Sequence, residues 1–185
     1  MINDILREAT SKMDKSVEST REDFTTIRAG RISPTVFNKI VVEYYGTPTP
    51  LQQLATFTSQ DARTILIQPF DQGAVDAVER AVRDSDLGVN PSSDGRQLRC
   101  VFPELTEERR KEYIKLAKGK AEDGRVSVRN VRRTAKQALE KLEKDGEVGK
   151  DDVAGAEKRL DGLTKEHTDA IDEMLKKKEA ELLEV

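Results

Sequence analysis

The 185-residue chain has no tryptophan, one cysteine, one histidine and few aromatic side chains of any kind, 4% in all. Each shortage excludes something. A single cysteine, Cys100, rules out an intrachain disulfide and fits a reducing compartment. One histidine, His167, beside one cysteine leaves no metal-ligand cluster and no Cys/His pair for nucleophilic catalysis. There is no glycine-rich phosphate loop of the Walker type. No apolar run approaches the ~18 residues that a membrane helix needs. The opening Met1-Ile2-Asn3-Asp4-Ile5 turns charged too early for a signal peptide. These absences lead to the expectation of a cytoplasmic binding protein, not an enzyme, with no cofactor and no membrane partner.

What the chain has instead is charge, 36% of its residues, at a net of only −3. Charge-rich, aromatic-poor chains are either disordered or built from long helices with narrow apolar seams. Three seams decide for helices. Ile2, Leu6, Ala9, Met13, Val17, Thr20, Phe24 and Ile27 recur at steps of three or four. Ile114, Ala117, Ala121, Gly124, Val128, Val131, Ala135, Ala138 and Leu142 follow a strict alternation, as do Val153, Ala156, Leu160, Leu163, His167, Ala170 and Met174. Two-in-seven seams mark coiled-coil-like packing. His167, on such a seam, reads as a bundle residue rather than a base or ligand. Gly124 costs about 1 kcal/mol against Ala in a helix interior, so a packing reason is expected for it.

The helix ends are signalled as well. Thr106 can N-cap the second helix, with Glu107 and Glu108 in its first turn. Lys144-Asp145-Gly146 reads as its stop, and Gly149-Lys150-Asp151-Asp152 starts the third. So short a loop makes these two helices antiparallel neighbours, and at ~1.5 Å per residue they run roughly 60 and 50 Å. Arg28-Ala29-Gly30-Arg31 closes the first helix, with Gly30 as its cap.

Residues 31–104 differ in character. Ile40–Tyr45, Thr64–Gln68 and Leu98–Phe102 are β-branched and aromatic, Gly46-Thr47-Pro48-Thr49-Pro50 is a turn and edge element, and Ala74–Val82 is a short amphipathic helix. The expected fold is α+β: an elongated three-helix bundle formed by residues 1–30 and 105–185, with a small β/α/β domain, 31–104, inserted in it. Two short crossings, at Gly30-Arg31 and at Pro103-Glu104-Leu105, make a natural hinge.

Charge is also segregated. Residues 106–145 hold 13 Lys/Arg against 8 Asp/Glu, and residues 146–185 hold 7 against 12. Within the basic part Lys111, Lys115, Lys118, Arg125, Arg129, Arg132 and Lys136 form one stripe, interrupted only by Glu122. The stripe lies one residue past the seam, hence exposed along the bundle's flank. Such a row is either a solvated flank paired with acids on neighbouring helices or a phosphate-binding edge. No Asp or Glu lies between Arg125 and Lys136, which favours the second reading. Arg133 points about 100° further round the helix, to brace the bundle or touch a second surface, and the Asn130 amide can bond a base or simply face solvent. A helical scaffold for an acidic protein partner is the alternative.

Five stretches taken together resemble the bacterial-type ribosome recycling factor family: Ile27–Arg31, Ile40–Leu51, Asp86–Pro91, Leu105–Lys111 and Val128–Arg133. The resemblance covers the full chain. Thr134 stands where many members carry an acid. The resemblance implies an L-shaped molecule that acts after termination. With elongation factor G and GTP it would split the ribosome into subunits and release messenger and transfer RNA. It implies a monomer whose bundle lies on large-subunit ribosomal RNA and whose small domain meets elongation factor G. The implied RNA contacts are Arg28, Arg31, Arg129, Arg132 and Arg133, to which the stripe adds Lys118 and Arg125.

Overall fold

The computed structural model describes residues 1–184. Its helices are α1 (Ile2–Thr25), α2 (Val75–Arg83), α3 (Glu107–Lys144) and α4 (Lys150–Leu183). Its strands are β1 (Val41–Tyr44), β2 (Thr47–Pro50), β3 (Ala55–Asp61), β4 (Thr64–Pro69), β5 (Pro91–Ser93) and β6 (Leu98–Val101). Two structural units result. The first holds residues 1–24 and 115–179, and the second holds residues 25–114 and 180–184.

The first unit is α1 packed with most of α3 and α4. α1 buries Leu6, Ala9, Met13, Val17, Thr20 and Phe24, the face its spacing predicts. α3 buries Ala117, Ala121, Gly124, Val128, Ala135 and Leu139. Its expected seam shifts near the end: Leu139 is buried and Ala138 only half-buried. On α4 the same shift puts Ile171 in the core and leaves Ala170 half-buried. Both departures replace a step of three with a step of four, as a helix of 3.6 residues per turn requires when it does not supercoil fully.

Gly124 shows why the second seam is made of small residues. A Cβ there would collide with Thr20 Oγ1 and lie 3.1 Å from Ile171 Cδ1. Thr20 Oγ1 is itself held by donation to Ser16 O, 2.9 Å away. Helix ends follow the sequence signals on α3. Thr106 Oγ1 accepts from Arg109 N at 3.1 Å. At the other end Gly146 takes a positive φ of 74°, and Gly146 N and Glu147 N donate to Glu143 O and Leu142 O, a Schellman closure.

The end of α1 departs from expectation. The helix stops at Thr25, and Gly30 is not its cap. The Thr25 carbonyl accepts instead from Thr35 Oγ1 at 3.1 Å. A hydroxyl from the following segment thus satisfies an orphan carbonyl that a glycine turn would otherwise manage.

The second unit holds a four-stranded antiparallel sheet in the order β3-β4-β6-β5 and a separate β1-β2 hairpin. α2 buries Val75, Val78 and Val82. Phe37, Ile65, Ile67, Leu98, Cys100 and Phe102 complete an apolar core with essentially no exposure. Two strands had no clear signal: β3 is a polar edge and β5 a three-residue edge strand that opens on a proline. β2 is the edge element expected there, with Pro48 and Pro50 opposite Glu43 and Val41. Edges tolerate both residue types. The segments at Gly30-Arg31 and Pro103-Glu104-Leu105 lie within this unit. Their neighbours are tied to the sheet, since Ile32 N donates to Ala62 O and Phe102 N to Arg63 O, each at 2.8 Å.

His167 is buried on α4, at 7% exposure. Its Nδ1 lies 2.6 Å from Leu163 O and its Nε2 2.6 Å from Asp14 Oδ1. Both ring nitrogens face acceptors, so the imidazolium is the form that satisfies them. Burial alone would lower the His167 pKa, but the bonds to Leu163 O and Asp14, with Glu166 nearby, raise it above the ordinary value.

Two outcomes follow. Gly124→Ala is expected to destabilise the helical unit by about 1–3 kcal/mol despite the ~1 kcal/mol gain in helix propensity, with Thr20→Ala relieving the clash. Chemical unfolding of both single variants and the double variant measures this, and a stabilised Gly124→Ala protein contradicts the close approach. For His167, the raised folded-state pKa means its contribution is complete below about pH 6.5 and is lost as pH rises through the raised value. The wild-type denaturation midpoint should therefore fall from about pH 6 to about pH 9 more than that of His167→Gln. Equal slopes would remove the ion pair from the account.

Candidate nucleic-acid interface

The basic stripe of α3 is present as spaced, but its members are not equivalent. Arg125 is mostly enclosed, its side chain 20% exposed. It donates from Nε to Asp172 Oδ1 at 2.7 Å and from Nη1 to Glu122 Oε2 at 2.9 Å. Burial would lower its pKa, and these two carboxylates more than reverse that. Arg129 is exposed and donates from Nη1 to Glu122 Oε1 at 3.1 Å. Glu122 thus spans two arginines, first Arg125 and then Arg129, and they hold its carboxyl below the usual range. Arg132 donates from Nε to Asp161 Oδ1 on α4 at 2.8 Å. Its Nη1 and Nη2 donate to no protein group among the described residues.

The absence of acids between Arg125 and Lys136 therefore did not leave Arg125, Arg129 and Arg132 unpaired. Their partners come from upstream on α3, Glu122, and from α4, Asp161 and Asp172. That corrects the sequence argument for the stripe: the cations are partly neutralised within the chain. The acid excess of residues 146–185 was the available signal, but it does not say which carboxylates face α3.

Lys118 and Arg133 are exposed with no ion pair among the described residues, so no ion pair ties Arg133 to the bundle. Lys136 approaches Glu140 at 4.0 Å and Lys111 approaches Glu107 at 3.6 Å. Lys118, Arg125, Arg129, Arg132 and Arg133 thus share the first unit, while Arg28 and Arg31 belong to the second.

Arg31 is exposed, but Arg28 is not. It is 4% exposed, its guanidinium carbon lies 5.5 Å from the Phe102 ring centroid, and its Nε and Nη2 have no hydrogen-bond partner. Burial lowers its pKa, with Tyr113 opposing that and Arg63 and Arg109 adding to it. Sequence reasoning placed Arg28 at the end of the first helix, and the resemblance implied that it contacts RNA. The early stop of α1 explains its actual position in the interior.

Among the described residues no three His, Cys, Asp or Glu side chains gather as a metal site, and no helix is long and apolar enough to cross a membrane. Cys100 is buried, which pushes its thiol up to about 12. What the stripe can do is present guanidinium edges to oxyanions along one helix face.

The family described as "Ribosome recycling factor" matches residues 20–183. The chain is 75% identical over its full length to the ribosome-recycling factor of a Nocardioides species, itself covered in full. It is 60% identical to that of Paenarthrobacter aurescens, again with both chains covered in full. Among solved structures, the solution structure of a ribosome recycling factor aligns over all of this chain and 98% of its own, with a TM-score of 0.79 at 39% identity. A second match, at a TM-score of 0.68 and 41% identity with full coverage of both chains, models the Thermus thermophilus factor with Escherichia coli elongation factor G on the E. coli post-termination complex.

The pairing pattern separates bracing from presentation. Arg125→Ala should cost the helical unit roughly 1 kcal/mol, because it unties α3 from α4, while Arg129→Ala should stay within about 0.5 kcal/mol. Denaturant unfolding of the two variants measures the difference, and equal losses would argue against the brace.

Proposed function

The chain belongs to the ribosome recycling factor family, and from that premise we propose that it acts on the ribosome after termination. With elongation factor G and GTP it dissociates the post-termination complex into subunits, so that messenger and transfer RNA leave. It works in the cytoplasm as a monomer and carries out no chemistry of its own, since nucleotide hydrolysis is left to its partner.

In this reading the helical unit lies on large-subunit ribosomal RNA along the exposed edge of α3. The observation that carries it is Arg132, whose Nη1 and Nη2 remain open while its Nε is tethered. Arg129 supports it, with one of its terminal nitrogens engaged. Lys118 and Arg133 add unpaired charge, and the exposed Arg31 a further contact. Arg125, with both its Nε and Nη1 occupied, holds the edge in place more than it reads the RNA. A stiff row of cations covers several phosphates at once, so binding should weaken steeply as salt rises. The small sheet unit faces elongation factor G. The segments around Gly30-Arg31 and Pro103-Glu104-Leu105 let the sheet portion between them, residues 31–104, change position while the helices stay anchored.

Arg132→Ala is expected to weaken binding to large ribosomal subunits by about 1–3 kcal/mol, as for loss of a charge-assisted contact, with little change in folding. Co-sedimentation at two salt concentrations measures it. Unchanged affinity with unchanged subunit splitting would sink this assignment and favour a scaffold for an acidic protein.

A further inference from the structure

The arginines of the stripe are held in different ways. Arg125 is locked by two carboxylates on two helices. Arg129 is held at one terminal nitrogen by Glu122, on its own helix. Arg132 alone of the three is held solely by its Nε, and by a carboxylate on another helix, Asp161 of α4. The Nε bond fixes the plane and direction of a guanidinium. It leaves free the Nη1/Nη2 edge, which matches a phosphate with two parallel donors.

We propose that Asp161 is a positioning residue for ribosomal RNA binding: it tethers Arg132 through Nε and so presents the outer edge of its guanidinium to a backbone phosphate. The inference rests on Arg132 being an RNA contact. The Asp161 side chain is 58% exposed and that of Arg132 40% exposed, so the pair sits at the surface, where an incoming strand can reach it. A long side chain free in solvent must lose rotamer freedom on binding, and a side chain already tethered has lost part of it.

Charge alone makes the opposite prediction, which gives the idea its test. Asp161 is an anion beside a surface meant for a polyanion. If it merely repelled RNA, or competed with phosphate for Arg132, its removal would strengthen binding. A positioning role requires removal to weaken binding, and only while Arg132 is present.

The experiment compares the full-length wild type with Asp161→Ala, Arg132→Ala and the double variant, binding to purified large ribosomal subunits at one fixed salt concentration. Denaturant midpoints are recorded in parallel. Asp161→Ala should weaken binding about three- to tenfold in the wild-type background, the range of one ordinary net hydrogen bond. In the Arg132→Ala background it should produce no further loss. The midpoints should move little, since an exposed ion pair contributes little to stability, whereas a general structural defect would lower binding in both backgrounds. Tighter or unchanged binding by Asp161→Ala overturns the proposal, as does a loss of equal size without Arg132. If Arg132→Ala itself leaves binding intact, the RNA reading of the stripe falls and the positioning role falls with it. If Arg132→Ala weakens binding and Asp161→Ala does not, only the positioning role fails.

Discussion

The close approach of three helices at Gly124 is the constraint on which the charged surface depends. With no side chain at that position, Thr20 of α1 and Ile171 of α4 both close on α3. Ala117 and Ala121 lie fully buried along the same face. Packing this tight resists side-chain insertion and leaves little room for the helices to slide, since interiors of this density transmit strain instead of absorbing it. The row one residue further round α3 thereby acquires a fixed position and spacing. A flexible segment bearing the same arginines would have the same charge but none of that order.

On this frame electrostatics divides the labour. Carboxylates from α3 and α4 hold Arg125 at two nitrogens, Arg129 at one terminal nitrogen and Arg132 at its Nε alone. Glu122, the single break in the basic row, is a shared partner for two arginines and not an inert gap. Exposed pairs of this kind contribute little to stability one by one. Their effect is on geometry: they decide which donors remain open to a ligand. The buried Arg28 marks the opposite extreme, a cation removed from the surface and set against an aromatic face.

Much of this was legible in the residues. The α1 seam, the Thr106 cap, the Gly146 stop and the small-residue reason for Gly124 all follow from local rules of spacing and capping. Those rules depend on neighbours a few positions away, which a sequence displays directly. The missed features are non-local. The end of α1 is set by a hydroxyl ten residues on. The α4 partners of Arg125 and Arg132 lie 47 and 29 residues away. The strands β3 and β5 are edges whose polar residues give no periodic signal, and they are strands because β4 and β6 supply their hydrogen bonds. Of the interface residues, spacing identified the stripe on α3, but the depth of Arg28 required the fold.

The central claim is that the exposed edge of α3, centred on Arg129 and Arg132, is the anchor through which the protein acts on the ribosome. Subunit splitting followed by light scattering, with cognate elongation factor G and GTP, tests it most directly. A variant carrying Arg129→Ala and Arg132→Ala, shown to keep its unfolding midpoint, should leave post-termination ribosomes unsplit at protein concentrations where the wild type separates them. Splitting at the wild-type rate by that folded variant would contradict the account.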